Sequence, residues 1–148
     1  MSACLLSQHQ SGRKLPSEPL RRLVGRIRER LGHDDRQLEL TLVGDEEMRD
    51  INRRFLGRNR STNVISFEAD EPDRLGSVVV NVDHAAREAA GNQTTLRFMV
   101  GFYVLHGILH LSGFDHERSG PDEAARMDQK QQDLQDLLEE YEALGKRS

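Results

Sequence analysis

The sequence predicts an α/β protein: one domain over residues 1–148, with a small mixed sheet of about four strands covered by four to five helices. Three observations carry this. Residues 94–111, TTLRFMVGFYVLHGILHL, run eighteen positions without proline and place Leu96, Met99, Val100, Tyr103, Val104, Ile108 and Leu111 near helical period, as expected of a buried helix. Short alternating or β-branched runs at residues 3–7, 37–43, 62–67 and 75–82 read as strands separated by helical patterns. The length of 148 residues suits one domain with a real core.

Taken in order, residues 3–7 form an opening strand, and a polar link containing Gly12 follows. Ser17 is placed to cap a helix with Pro19 in its first turn. Leu20, Leu23, Val24, Ile27 and Leu31 make its apolar stripe, while Arg21, Arg22, Arg26, Arg28 and Arg30 are expected on its wet side. Residues 37–43 alternate with Leu38, Leu40 and Leu42 on one face. Asp45 is expected to cap the next helix, with Met48, Ile51 and Phe55 as its stripe and Gly57 as its stop. After the strand at 62–67 and an acidic loop with Pro72 comes the β-branched run to Val82, followed by a helix at 84–90 capped by Asp83 and ended by Gly91. Beyond the long apolar helix, a Ser119-Gly120-Pro121 turn starts one last helix packing Met127, Leu134, Leu137, Leu138 and Tyr141.

Composition bounds the chemistry. The single cysteine, Cys4, excludes an internal disulfide and a cysteine-rich metal site, and reads as a plain buried thiol. A mean hydropathy of -0.68 and no run long enough for a membrane span or signal peptide lead to the expectation of a cytoplasmic protein without membrane partners. The net charge of -4 is unevenly spread, with +4 over residues 13–60 and -7 over residues 115–142. Five arginines against Asp50 alone occupy residues 49–60, a segment suited to phosphate although solvated helix faces give similar counts.

His106, His110 and His116 carry the chemistry. Residues four apart on a helix share a face about 5–6 Å apart, so His106 and His110 can each direct a ring nitrogen at one ion. Gly113 is suited to end the helix in a left-handed turn, which brings His116 back toward the same point. One such histidine alone would be a satisfied core or surface side chain, the reading given to His9, His33 and His84. Three at this spacing point to one zinc ion per chain with an open fourth position for water, with nickel and copper also suited to imidazole. The pattern follows the zincin H-E-x-x-H-x-x-G-x-x-H, except that Gly107 stands where those peptidases carry their glutamate base.

HGILHLSGFDH resembles the H-G-x-L-H-L-x-G-y-D-H signature of the YbeY family of bacterial zinc-dependent endoribonucleases. STNVISF, starting at Ser61, is similar to that family's P-T-[DN]-V-L-S-F strand, and LGSVVV, starting at Leu75, to its L-G-D-[IL]-V-I strand; the likeness spans roughly residues 38–144. The departures are Ser61 for proline, Ser77 for aspartate, Leu56 for an arginine, and Gln131 for a glutamate. The resemblance implies a single-strand-specific endoribonuclease acting on ribosomal RNA and ribosomal particles, in 16S rRNA 3′ end maturation and ribosome quality control.

In this reading His106, His110 and His116 hold Zn²⁺, whose water attacks an RNA phosphodiester. Asp115, with Glu117, orients a histidine or moves a proton. Arg58, Arg60 and Thr62 contact the substrate. Two alternatives belong to other classes: a non-catalytic, zinc-stabilised ribosome assembly factor and a zincin-like metallopeptidase. Oligomeric state leaves no mark in the sequence.

Overall fold

Four strands pair into one sheet in the computed structural model, which describes residues 4–9, 12–113 and 121–146. In chain order the elements are β1 (Cys4–Gln8), α1 (Ser17–Arg30), β2 (Gln37–Val43), α2 (Asp45–Leu56), β3 (Val64–Glu68) and β4 (Arg74–Asn81), followed by the helices α3 (Val82–Gly91), α4 (Leu96–Leu111), α5 (Pro121–Asp133) and α6 (Gln135–Lys146). The sheet order is β1-β2-β4-β3. β1, β2 and β4 run parallel, and β3 lies antiparallel on the outer edge of β4. The mixed sheet expected from the sequence is present, with six helices among the described residues rather than four to five.

Burial explains the layering. Leu38, Leu40 and Leu42 of β2, with Val78 and Val80 of β4, face a large core built by α1, α4 and α6. On the other face Val43, Ile65 and Val79 meet Met48 of α2, with Ile51 and Phe67 partly buried around them. Each of these aliphatic side chains contributes about 1.5–3 kcal/mol on leaving water. α4 is apolar nearly all round because it is covered on several sides, by the sheet, α1, α3 and α6. At Gly107 a Cβ would lie 2.6 Å from Cγ1 of Val78, and at Gly101 3.1 Å from Cδ2 of Tyr141. These two glycines let α4 lie flush against β4 and α6.

Several local expectations are corrected by distant partners. Pro16, not Ser17, occupies the α1 N-cap position. Arg28 is 4% exposed rather than on the wet side, because its guanidinium donates to the Arg36 and Asp34 carbonyls at 2.8 and 3.0 Å and holds the loop into β2. Gly44, not Asp45, precedes α2; the Asp45 N–H is instead capped by the Asp83 carboxylate at 2.9 Å, from the start of α3. Asn81, not Asp83, caps α3 by accepting from the Asp83 and His84 N–H groups. Phe55 is 62% exposed and does not complete the α2 stripe.

The strands shift by one or two residues for similar reasons. β1 reaches Gln8 through its pairing with Leu42, and Ala3 lies outside the described residues. β3 starts at Val64 because Thr62 and Asn63 are held by Asn81. β4 ends at Asn81, since Val82 already opens α3. α4 begins at Leu96 under a Thr95 cap whose hydroxyl accepts from the Phe98 N–H at 3.0 Å. The expected single C-terminal helix is broken at buried Leu134, a bend that lets Met127 on α5 and Leu137 and Tyr141 on α6 reach one core. Gly57 and Gly113 do adopt the left-handed turns expected of them, with φ of 69° and 96°. No described helix is long and apolar enough to cross a membrane.

Candidate active-site cleft

The last turns of α4 present His106 and His110 on one face, with Gly107 beside them held close against Val78 of β4 and Ser66 of β3. Their Nε2 atoms lie 3.0 Å apart, with ring centroids separated by 4.6 Å and planes inclined at 68°. Two nitrogens at 2.0–2.1 Å from one tetrahedral ion would stand about 3.3 Å apart. The pair is thus nearly pre-set for a shared ion. On the far side of the first ring, Nδ1 of His106 lies 3.5 Å from Oε1 of Gln131 on α5. The tautomer that donates from Nδ1 to Gln131 leaves the Nε2 lone pair of His106 facing His110. The amide nitrogen of Gln131 is buried with no hydrogen-bond partner among the described residues.

His116 and Asp115, with Glu117, lie outside the described residues. Among the described residues no group of three histidine, cysteine, aspartate or glutamate side chains is placed to hold a metal ion. Gly113, which follows the α4 C-cap Ser112, has the left-handed conformation expected of it.

The histidine pair opens on a cleft of about 480 Å³. Arg58, Arg60 and Thr62 line it together with Leu56, Asn63 and Ser66, so the expected substrate contacts and the histidines share one hollow. Larger hollows of about 690 and 740 Å³ lie elsewhere and contain neither histidine of the pair. The guanidinium groups of Arg58 and Arg60 have no ion-pair partner among the described residues, whereas Arg53 and Arg54 share Asp50. Ser77 is not in the cleft wall; its hydroxyl donates to Glu39 at 3.3 Å.

Buried asparagines that sequence reasoning passed over hold this wall in place. Asn52, 2% exposed, donates to the Arg60 carbonyl at 2.8 Å. Asn81, fully buried, donates through Nδ2 to Asp45, to the Ser61 hydroxyl and to the Thr62 carbonyl, while its N–H donates to Asn63. Ser66 donates to the Gly107 carbonyl at 3.1 Å and ties β3 to α4. The Arg87 guanidinium, aided by Asn81 and Ser61, holds the Asp45 carboxyl well below the usual carboxylate range. An asparagine directly after the β-branched run at 78–80 was the available signal for Asn81.

An α/β protein whose buried helix turns two histidines into a cleft lined by arginines that lack ion-pair partners among the described residues is suited to bind a phosphodiester. The family model described as Endoribonuclease YbeY matches residues 6–139. Endoribonuclease YbeY of Geobacter sulfurreducens is 39% identical over 141 residues, covering 90% of this chain and 94% of that protein. The protein of the same name from Syntrophus aciditrophicus is 36% identical over 146 residues, covering 94% and 91%. The solution structure of TM1509 from Thermotoga maritima superposes with a TM-score of 0.66 at 26% identity, over 97% of this chain and 92% of that one. The chain belongs to the YbeY endoribonuclease family.

Proposed function

We propose that this cleft hydrolyses phosphodiester bonds of single-stranded RNA, with one zinc ion held by His106, His110 and His116. The supporting observation is the convergence of the His106 and His110 Nε2 atoms to 3.0 Å inside a hollow walled by Arg58 and Arg60. A zinc ion bound there supplies a Lewis acid that makes water nucleophilic near neutral pH and offsets charge developing on phosphate. The protein's own residues do the rest. Arg58 and Arg60 neutralise phosphate oxygens, and the Thr62 hydroxyl donates to them. Asn52 and Asn81 fix the backbone carrying these groups, Gln131 fixes the orientation of His106, and Asp115 orients a ligand or moves a proton.

A peptidase base at position 107 does not fit. Its Cβ would already lie 2.6 Å from Val78 and 3.2 Å from the Ser66 hydroxyl, which leaves no room there for a glutamate side chain. Membership in the endoribonuclease family agrees with an RNA substrate. The substrate we propose is ribosomal RNA in ribosomal particles, at the 16S 3′ end, in the cytoplasm.

The test pairs metal content by mass spectrometry with cleavage of single-stranded RNA, for the protein and for its His110→Ala variant. One zinc per chain, with both metal and cleavage lost in the variant, is the expected result. Full cleavage by His110→Ala would refute the mechanism. Zinc without cleavage in the parent protein would instead favour the non-catalytic assembly factor, which Leu56 in place of the family arginine also fits.

A further inference from the structure

Among the described residues three large apolar side chains stand exposed: Leu5 at 48%, Phe55 at 62% and Leu56 at 49%. Phe55 and Leu56 are consecutive, at the last turn of α2, where Gly57 turns the chain toward the cleft. Leu56 lines that cleft beside Arg58 and Arg60, and Phe55 is the residue before it, its ring set against Phe67 of the edge strand whose Ser66 and Glu68 line the cleft. An edge-on contact with Phe67 of β3, at 5.6 Å between centroids and 66° between planes, steadies the Phe55 ring. The Arg54 guanidinium stands 5.6 Å from its centroid.

The surroundings select the occupant. Aromatic and arginine side chains are both common at protein interfaces, so the choice of occupant rests on the excess of positive charge. Here the ring sits in a segment of five arginines against one aspartate. Arg53 and Arg54 share that single carboxylate, and Arg58 and Arg60 have no ion-pair partner among the described residues. An aromatic platform interleaved with guanidinium groups matches a nucleobase on a polyanionic strand, where stacking tolerates any sequence and the cations follow the phosphates.

We propose that Phe55 stacks an unpaired nucleobase of the RNA strand as it enters the cleft, with Arg54 and Arg58 on the adjoining phosphates. The inference rests on the RNA reading above and adds a specificity-determining residue to it. A base within a duplex has both faces covered by its neighbours, so a platform of this kind favours single strands over duplexes. Phe55 acts on binding of the flanking strand and not on the reacting bond.

The experiment measures dissociation constants by fluorescence anisotropy for a 2′-O-methyl RNA single strand, an abasic strand of equal length and a duplex. The proteins are the parent and the Phe55→Ala, Phe55→Leu and Phe55→Trp variants, with circular dichroism melts confirming that each is folded. Phe55→Ala and Phe55→Leu are expected to weaken single-strand binding about five- to tenfold and Phe55→Trp to restore it. The abasic strand should bind the parent and Phe55→Ala alike. Cleavage should show a raised KM with kcat little changed. Parent-like affinity in Phe55→Ala overturns the inference and leaves the patch to a protein partner, and parent-like affinity in Phe55→Leu reduces it to generic apolar contact. A parent protein that binds none of the three RNAs overturns the RNA reading itself, and this inference with it.

Discussion

Replacing Gly107 by alanine separates a helix read locally from a helix read in its tertiary place. In an exposed helix interior the change would stabilise by about 0.8–1 kcal/mol, because glycine loses more backbone entropy on folding. Here the new methyl would lie 2.6 Å from Cγ1 and 3.1 Å from Cγ2 of Val78, and 3.2 Å from the Ser66 hydroxyl. Val78 is fully buried in the middle of the sheet and has nowhere to retreat. Overpacking of this kind costs about 1–3 kcal/mol. The two effects leave a net destabilisation of about 0–2 kcal/mol, or a fall in Tm of about 2–4 °C per kcal/mol for a chain near this size. Urea unfolding followed by far-ultraviolet circular dichroism is the suitable assay, since the chain has no tryptophan. Val78→Ala removes the opposing methyls. In the double variant the two costs should therefore fall short of additivity by at least about 0.5 kcal/mol. A Gly107→Ala protein more stable by about 1 kcal/mol, or strict additivity in the double variant, would refute the close helix–sheet approach and with it the argument against a base at this position.

Three further outcomes are expected. Asn81→Ala removes the α3 cap and three donated hydrogen bonds around Asp45, Ser61 and Thr62, and should cost about 2–4 kcal/mol in urea unfolding; a loss below about 0.5 kcal/mol would show that this network holds nothing together. Burial pushes the Cys4 thiol up to about 11. The unfolded thiol ionises near 8.5, so its contribution to stability is complete below about pH 8 and is lost as pH rises toward 11. Ellman's reagent at pH 8 should therefore react no faster than the fold opens, and immediate reaction would contradict the burial. The Asp45 carboxyl, depressed chiefly by Arg87, contributes stability present above the ordinary carboxylate range and lost as pH falls below about 4. The pair is partly exposed, so its worth is under about 1 kcal/mol. Asp45→Asn should flatten the acid limb of a stability–pH curve slightly, and an unchanged limb would place the effect elsewhere.

The histidine helix was legible because its information is local. His106 and His110 share a face by helical period alone, and Gly57 and Gly113 end their helices through their own freedom at positive φ. The four strands were legible from alternation and β-branching, to within one or two residues at their ends. The shared hollow of Arg58, Arg60, Thr62 and the histidine pair was legible as well, since the arginine segment leads straight into the strand beside α4. The edge position of β3, by contrast, comes from β4 inserting between β2 and β3, a choice among pairings that alternation does not rank.

Caps and solvent faces needed the fold. Asp45 and Asp83 both look like caps locally, yet Asn81 caps α3 and Asp83 reaches 38 residues back to the first N–H of α2. Arg28 reads as one more solvated arginine until the loop carbonyls of Asp34 and Arg36 close over it. Phe55 fits the period of a buried stripe but lies past the edge of the small second core. Gln131 comes to His106 from 25 residues away, on a helix whose bend at Leu134 the periodicity did not show. By itself, then, the sequence determined which segments become helix or strand and that two histidines share a helix face, because these depend on neighbours within about four residues. Only the tertiary structure decided which polar group satisfies which partner and which apolar side chain stays in water, because desolvation and hydrogen bonding depend on residues brought together from tens of positions apart.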